Sequence, residues 1–242
     1  MNANRFRLVL LSAAVSGLLC AGAASAQLRA LSEQELSTTR GQGLLVLTNS
    51  SYNGFDFTRI ALGADVKLNA NFRNINLGGY ARDGYLAPAD LDMPLLQYGR
   101  SDAGDAKRVV QITDPYIEFV YRNAGNAATR EVVGMRFGFG GIAGDVGLDI
   151  KTLSGSMQIG GTDYAGIRIA GPLVGGVTAG DAAGASRDFW MSTLKTAVQF
   201  QAPAGMTQVP DIAQAGFWMN WRDRLSAINA GGTPPPNLPL VR

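Results

Sequence analysis

The sequence predicts an all-β protein, an antiparallel meander that is sandwich-like or forms a curved sheet, with short N-terminal and C-terminal helices. Three observations carry this. Residues 58–73 alternate, with Ile60, Leu62, Ala64, Val66, Leu68, Ala70 and Phe72 on one parity and Arg59, Ala61, Gly63, Asp65, Lys67, Asn69, Asn71 and Arg73 on the other, a face only half polar. A strand sends alternate side chains to opposite faces, so this is one long strand with a greasy side. Several later runs alternate in the same way between turn residues. Glycine is also abundant, 31 of 242 residues, against an average of about 7%.

Residues 1–26 read as a secretory signal peptide. Arg5 and Arg7 form the basic start, residues 8–19 the apolar core and Ala24-Ser25-Ala26 the cleavage site. That core is shorter than the about 20 residues needed to span a bilayer. Residues 27–43 form a helical cap. Ser32 and Glu35 make a capping box, Leu31 staples against Leu36 and Gly41 stops the helix.

Residues 44–229 are expected to form a single β-rich domain. Residues 43–48 are a buried strand, and Asn53-Gly54 is a strong hairpin signal. The apolar parity changes between Phe57 and Ile60, which predicts a bulge. Residues 78–104 are looser. Asp90, Asp92, Asp102 and Asp105 cluster around this stretch without the spacing of a calcium loop, so they read as solvated loop acids. Residues 108–113, 115–122, 131–139, 145–150 and 153–159 follow as separate strands. Residues 166–184 hold a glycine- and alanine-rich strand, and residues 188–201 fit either helix or strand. Phe217, Trp218, Trp221, Leu225 and Ile228 fall near helical spacing and predict a C-terminal helix. Residues 230–242, with Pro234-Pro235-Pro236 and Pro239, are an extended, mobile tail.

Composition narrows the function. Cys20 is the only cysteine and lies in the signal, so the mature chain has no disulfide, thiol nucleophile or cysteine metal site. Without Arg5 and Arg7, 19 basic residues face 19 acidic ones. A neutral chain lacks the clustered Lys and Arg that nucleic acid demands. It also offers little electrostatic resistance to self-association. There is no histidine, the commonest general base and transition-metal ligand.

Enzyme motifs fare poorly. Residues 138–143, GFGGIA, fit a loose dinucleotide pattern but are followed by strand rather than helix. Glu118 and Asp149 are one of many carboxylate pairs on which a glycosidase could be imagined. No serine has a GxSxG elbow. The expectation is therefore a non-enzyme without a cofactor. A closed membrane barrel is disfavoured by the irregular residues 78–104 and the proline-rich ending. The candidate interaction surface comprises Gly134, Arg136, Gly138 and Gly140, whose glycines permit close approach of another layer or chain, together with Trp218 and Trp221.

Leu31-Ser32-Glu33-Gln34-Glu35-Leu36-Ser37 with Gly41-Gln42-Gly43 resembles the LSDxELSxVxGQ opening of a proteobacterial secreted family, some of whose members are labelled pilus-system proteins. Asp114-Pro115-Tyr116-Ile117-Glu118-Phe119, residues 133–140 and Asp149-Ile150-Lys151-Thr152-Leu153-Ser154-Gly155 resemble its DPxIEF, GxRxGFG and DIxxLSG strands. Thr38-Thr39-Arg40 departs from the apolar residue usual before the Gly-Gln pair. The resemblance implies an exported, β-rich envelope or surface protein tied to pili or fimbriae, located in the periplasm, outer membrane or cell surface. Its expected partners are envelope or pilus proteins, or further copies of itself. The alternative is a periplasmic or outer-membrane-associated module holding an apolar or lipid ligand between the sheet and the C-terminal aromatic helix.

Overall fold

The structure, a computed structural model, describes residues 44–79, 81–82, 85–86, 88–206, 208–229 and 231–238. They belong to the second of two compact units, Gln42–Arg242. The expected signal peptide and N-terminal helix lie outside the described residues.

Thirteen strands follow in order: β1 (Leu45–Tyr52), β2 (Phe55–Leu62), β3 (Asp65–Leu68), β4 (Ala70–Leu77), β5 (Ala81–Arg82), β6 (Tyr85–Leu86), β7 (Leu91–Tyr98), β8 (Val110–Arg122), β9 (Glu131–Ile159), β10 (Thr162–Ala179), β11 (Trp190–Leu194), β12 (Gly216–Trp221) and β13 (Leu225–Ala227). All but the small β5–β6 pair join one open sheet of 11 strands. Its pairings are antiparallel except β12 with β9. Among the described residues the only helical turn is a 3-10 turn at Asp105–Lys107.

β9 organises the sheet. Its 29 residues would reach about 95 Å if straight. Up to Gly138 it lies between β8 and β11, with Gly138 opposite both Tyr116 and Trp190, and β8 stays paired to Ala143 while Ile142 bridges to Ser186 on the other edge. Beyond Ala143 it lies between β7 and β10, with Val146 opposite both Tyr98 and Val177. The changeover falls at Gly144, whose φ of 134° is one that side chains rarely adopt. A Cβ there would stand 3.1 Å from the Val110 backbone. β11 pairs with the first part of β9, β12 with residues 155–157, and β11 with β12. These two strands therefore bridge the two ends of β9, which curls around the larger core. That core includes Leu91, Met93, Ile142, Leu148, Ile150, Met157, Phe189 and Trp221.

Several expectations change. Residues 131–159 are one strand rather than three, because the glycines at 140, 141 and 144 extend or bend the chain instead of turning it. Residues 58–73 are shared among β2, β3 and β4, and Ile60, Val66 and Phe72 on their greasy side are exposed. The bulge predicted after Phe57 is missing, since β1 and β2 pair without a break. Phe57 packs inward on one face while Ile60 occupies the other. The C-terminal helix is replaced by β12 and β13. Both faces of β12 are buried, so its apolar residues do not alternate and mimic a helical stripe. The hairpin signal holds, with Asn53 and Gly54 at φ 50° and 81°.

The described tail is extended but pinned. The Pro235 carbonyl accepts from Gln97 Nε2 at 2.7 Å, and the Pro236 carbonyl accepts from the Ser101 N–H at 2.8 Å. Asn237 Nδ2 donates to the Tyr98 carbonyl at 3.1 Å. Proline carbonyls remain acceptors although proline has no N–H.

Gly138→Ala tests the sheet crossing. The added Cβ would sit 2.6 Å from the Phe189 carbonyl oxygen and 2.8 Å from Trp190 Cβ. Urea unfolding should show a loss of about 2 kcal/mol. Gly125→Ala, where nothing lies within 4 Å, should change stability by less than about 0.5 kcal/mol.

Candidate functional site

Six strands align a polar row across one face of the sheet. Thr48 stands opposite Arg59, Arg59 opposite Glu118, Glu118 opposite Arg136, Arg136 opposite Ser192 and Ser192 opposite Trp218. Directly opposed residues share a face, so these side chains are neighbours. Glu118 is the hinge of the row. Its Oε1 accepts from Arg59 Nε at 2.9 Å and its Oε2 from Arg136 Nε at 2.5 Å. The Glu118 and Arg136 side chains are 4% and 5% exposed.

The rows on either side explain the glycines. Tyr116, Gly138 and Trp190 are opposed in one, and Val120, Gly134 and Leu194 in the other. A Cβ on Gly138 would lie 2.7 Å from the Tyr116 hydroxyl, and one on Gly134 2.6 Å from Leu194 Cδ2. The chain between β11 and β12 then folds over this face, burying Val198, Phe200 and Ala213 with Phe57, Trp190 and Trp218. Phe200 lies 4.1 Å from the Arg136 guanidinium carbon, and Trp190 and Tyr116 lie 5.3 and 5.7 Å from it. Arg59 stacks on Tyr116 at 4.0 Å. Cationic planes over aromatic rings offset part of the desolvation of a buried charge.

A cleft of about 500 Å³ opens on this cluster. Thr48, Ser50, Arg59, Glu118, Arg136 and Arg187 are among its lining residues, with the 201–204 segment also contributing to the wall. Arg187 is positioned from behind. Its N–H and Nε donate to Asp223 Oδ2 at 3.1 and 3.3 Å, and Nη1 to the Ala204 carbonyl at 3.3 Å. Asp223 is fixed in turn by Asp188, whose carboxylate accepts from the N–H groups of Arg222 and Asp223 and from Asn220 Nδ2. Burial pushes the Asp188 carboxyl above the usual carboxylate range, and these donors only partly offset it.

Of the residues expected to form an interaction surface, Gly134, Arg136, Gly138 and Trp218 fall in adjoining rows of one face, while Trp221 lies in the larger core. Arg136, Trp218 and Trp221 are buried, and Gly134 and Gly138 admit the chain's own β11. Gly140 remains exposed. Among the described residues no helix backs Trp218 and Trp221; Trp218 is covered instead by the chain between β11 and β12. Residues 138–143 run inside β9, without the helix a dinucleotide turn requires. Asp149 lies on the far half of β9, away from Glu118. The loop acids are held by arginines: Asp90 by Arg168, Asp102 by Arg100 and Asp105 by Arg108. Asp90 is buried rather than solvated. Among the described residues no group of three acidic, histidine or cysteine side chains is placed to hold a metal.

Sequence reasoning missed Arg59, Thr48, Ser50 and Arg187. The signal available was the register, because once β1 pairs with β2 through Asn53-Gly54, Thr48 must oppose Arg59.

The opposite face tells a different story. Leu47, Ile60, Ile117 and Phe137 are opposed in turn, and are 63%, 38%, 45% and 41% exposed. The same row ends in the buried Met191 and Met219. Beyond β1 no described strand continues the sheet. Fold and site define an open β-sheet protein with an Arg–Glu–Arg cluster at the base of a cleft on one face and, among the described residues, an uncovered apolar strip on the other. No family model, curated protein or solved structure matches the chain.

Glu118→Gln should destabilise the fold by about 3 kcal/mol in denaturant titrations at neutral pH, since Arg136 then loses its buried counter-charge. Asp188 gives a pH signature. Its raised pKa means that its contribution is fully present at acid pH and is lost as pH rises through the folded pKa. The stability of wild type relative to Asp188→Asn should therefore fall as pH is raised from about 3.5 to 7. A constant difference would mean that Asp188 titrates alike in both states.

Proposed function

We propose that the protein is an exported structural component of the cell envelope or cell surface, associated with pili or fimbriae, that acts by presenting its β1 edge to other β-rich chains. The observation that carries this reading is β1 itself. It has eight residues, no charge, no proline and no break in register with β2. Natural edge strands are normally blunted by such devices, and an edge without them is a template for another strand. The exposed row from Leu47 to Phe137 adjoins that edge and gives an incoming strand an apolar surface to cover. The neutral mature charge and the resemblance to secreted pilus-system proteins support the same reading.

Leu47→Lys places a charge on the edge at a residue that packs little in the monomer. The full-length mature chain should associate in a concentration-dependent way in light scattering, or capture envelope partners on cross-linking of intact cells. The variant should lose this while keeping its circular dichroism spectrum and its stability within about 0.5 kcal/mol. Immunolabelling should place the protein at the cell surface or outer membrane. A strictly periplasmic monomer, with normal surface structures in a deletion strain, would overturn the reading.

A further inference from the structure

We infer that the cleft on the Arg59–Glu118–Arg136 face binds a small molecule through an oxyanion, a carboxylate or phosphate group, which the three arginines grip. The inference starts from charge. Arg59, Arg136 and Arg187 line the cleft, and Glu118 is the only acidic residue among its lining. Asp223 offsets Arg187 from behind. Glu118 must serve two guanidinium groups at once, which leaves one positive charge in excess beside a wall of Phe57, Tyr116 and Trp190. An uncompensated charge in such surroundings favours a counter-ion.

Hydrogen-bond accounting points the same way. Both Glu118 oxygens are occupied by Nε atoms. The terminal Nη atoms of Arg59 and Arg136 donate to no acceptor among the described residues, and none of them is among the fully enclosed polar atoms that lack a partner. They therefore retain access, and the open space beside the otherwise buried Arg136 is the cleft. Guanidinium forks match the paired oxygens of carboxylates and phosphates. Thr48, Ser50 and Gln201 add hydroxyl and amide donors to the lining. The volume lies in the range of small-molecule sites, about 300–1,000 Å³.

Thermal unfolding of the mature chain with sodium phosphate, sodium benzoate or sodium chloride at matched ionic strength tests this. Phosphate, benzoate or both should raise Tm saturably above the chloride control, and the more effective one identifies the preferred group. Arg59→Gln should weaken the apparent affinity at least tenfold, whereas Lys195→Gln, outside the cleft lining, should keep it. Circular dichroism checks that Arg59→Gln is folded, and Arg187→Gln replaces it if it is not. No rise beyond chloride, or wild-type affinity in the cleft variant, overturns the inference.

Discussion

A strand of 29 residues must find hydrogen-bond partners along both edges, and that demand shapes the molecule. β9 meets it by changing partners, leaving β11 after Gly138 and β8 after Ala143 for β10 and β7. Neither half of the chain supplies these partners alone. β7 and β8 come from before β9, and β10, β11 and β12 from after it. The larger core follows from the same arrangement, because bridging the two ends of β9 with β11 and β12 turns one face inward.

Charge reinforces what the strands arrange. Buried acids sit where separate segments meet. Asp90 accepts from Arg168 Nε and from the Phe217 N–H, joining the start of β7 to β10 and β12. Asp145 accepts from Lys107 and Thr178, joining β10 to the loop before β8. Glu118 joins β2, β8 and β9. Each such contact adds less to stability than its Coulomb energy suggests, since desolvation opposes it. Each also disfavours a slipped register, because a one-residue shift would send the charge to the other face. The Arg–Glu–Arg cluster differs from the others in carrying one cation too many, and this excess makes its cleft chemically distinctive.

The two faces of the first strands divide the work. On one, the chain between β11 and β12 covers Phe57, Val120 and Arg136. On the other, no described segment covers the row from Leu47 to Phe137. A sheet solvated on one side normally shows polar residues there. Apolar residues in that position, next to an unguarded edge, are what an assembling strand would bury.

Strand character and the Asn53-Gly54 hairpin were legible in the sequence, because alternation and turn chemistry are local. The sequence also determined the absence of histidine and of cysteine beyond Cys20, with the chemistry those absences remove. Tertiary structure alone decided that residues 131–159 form one strand, that β12 is no helix, and that Arg59, Glu118 and Arg136 share a face. The reason is physical. A strand buried on both faces loses its alternation, and a glycine bends or turns a chain according to the partners at its edges. Charges 18 and 59 residues apart become neighbours only when the register of three strands is set.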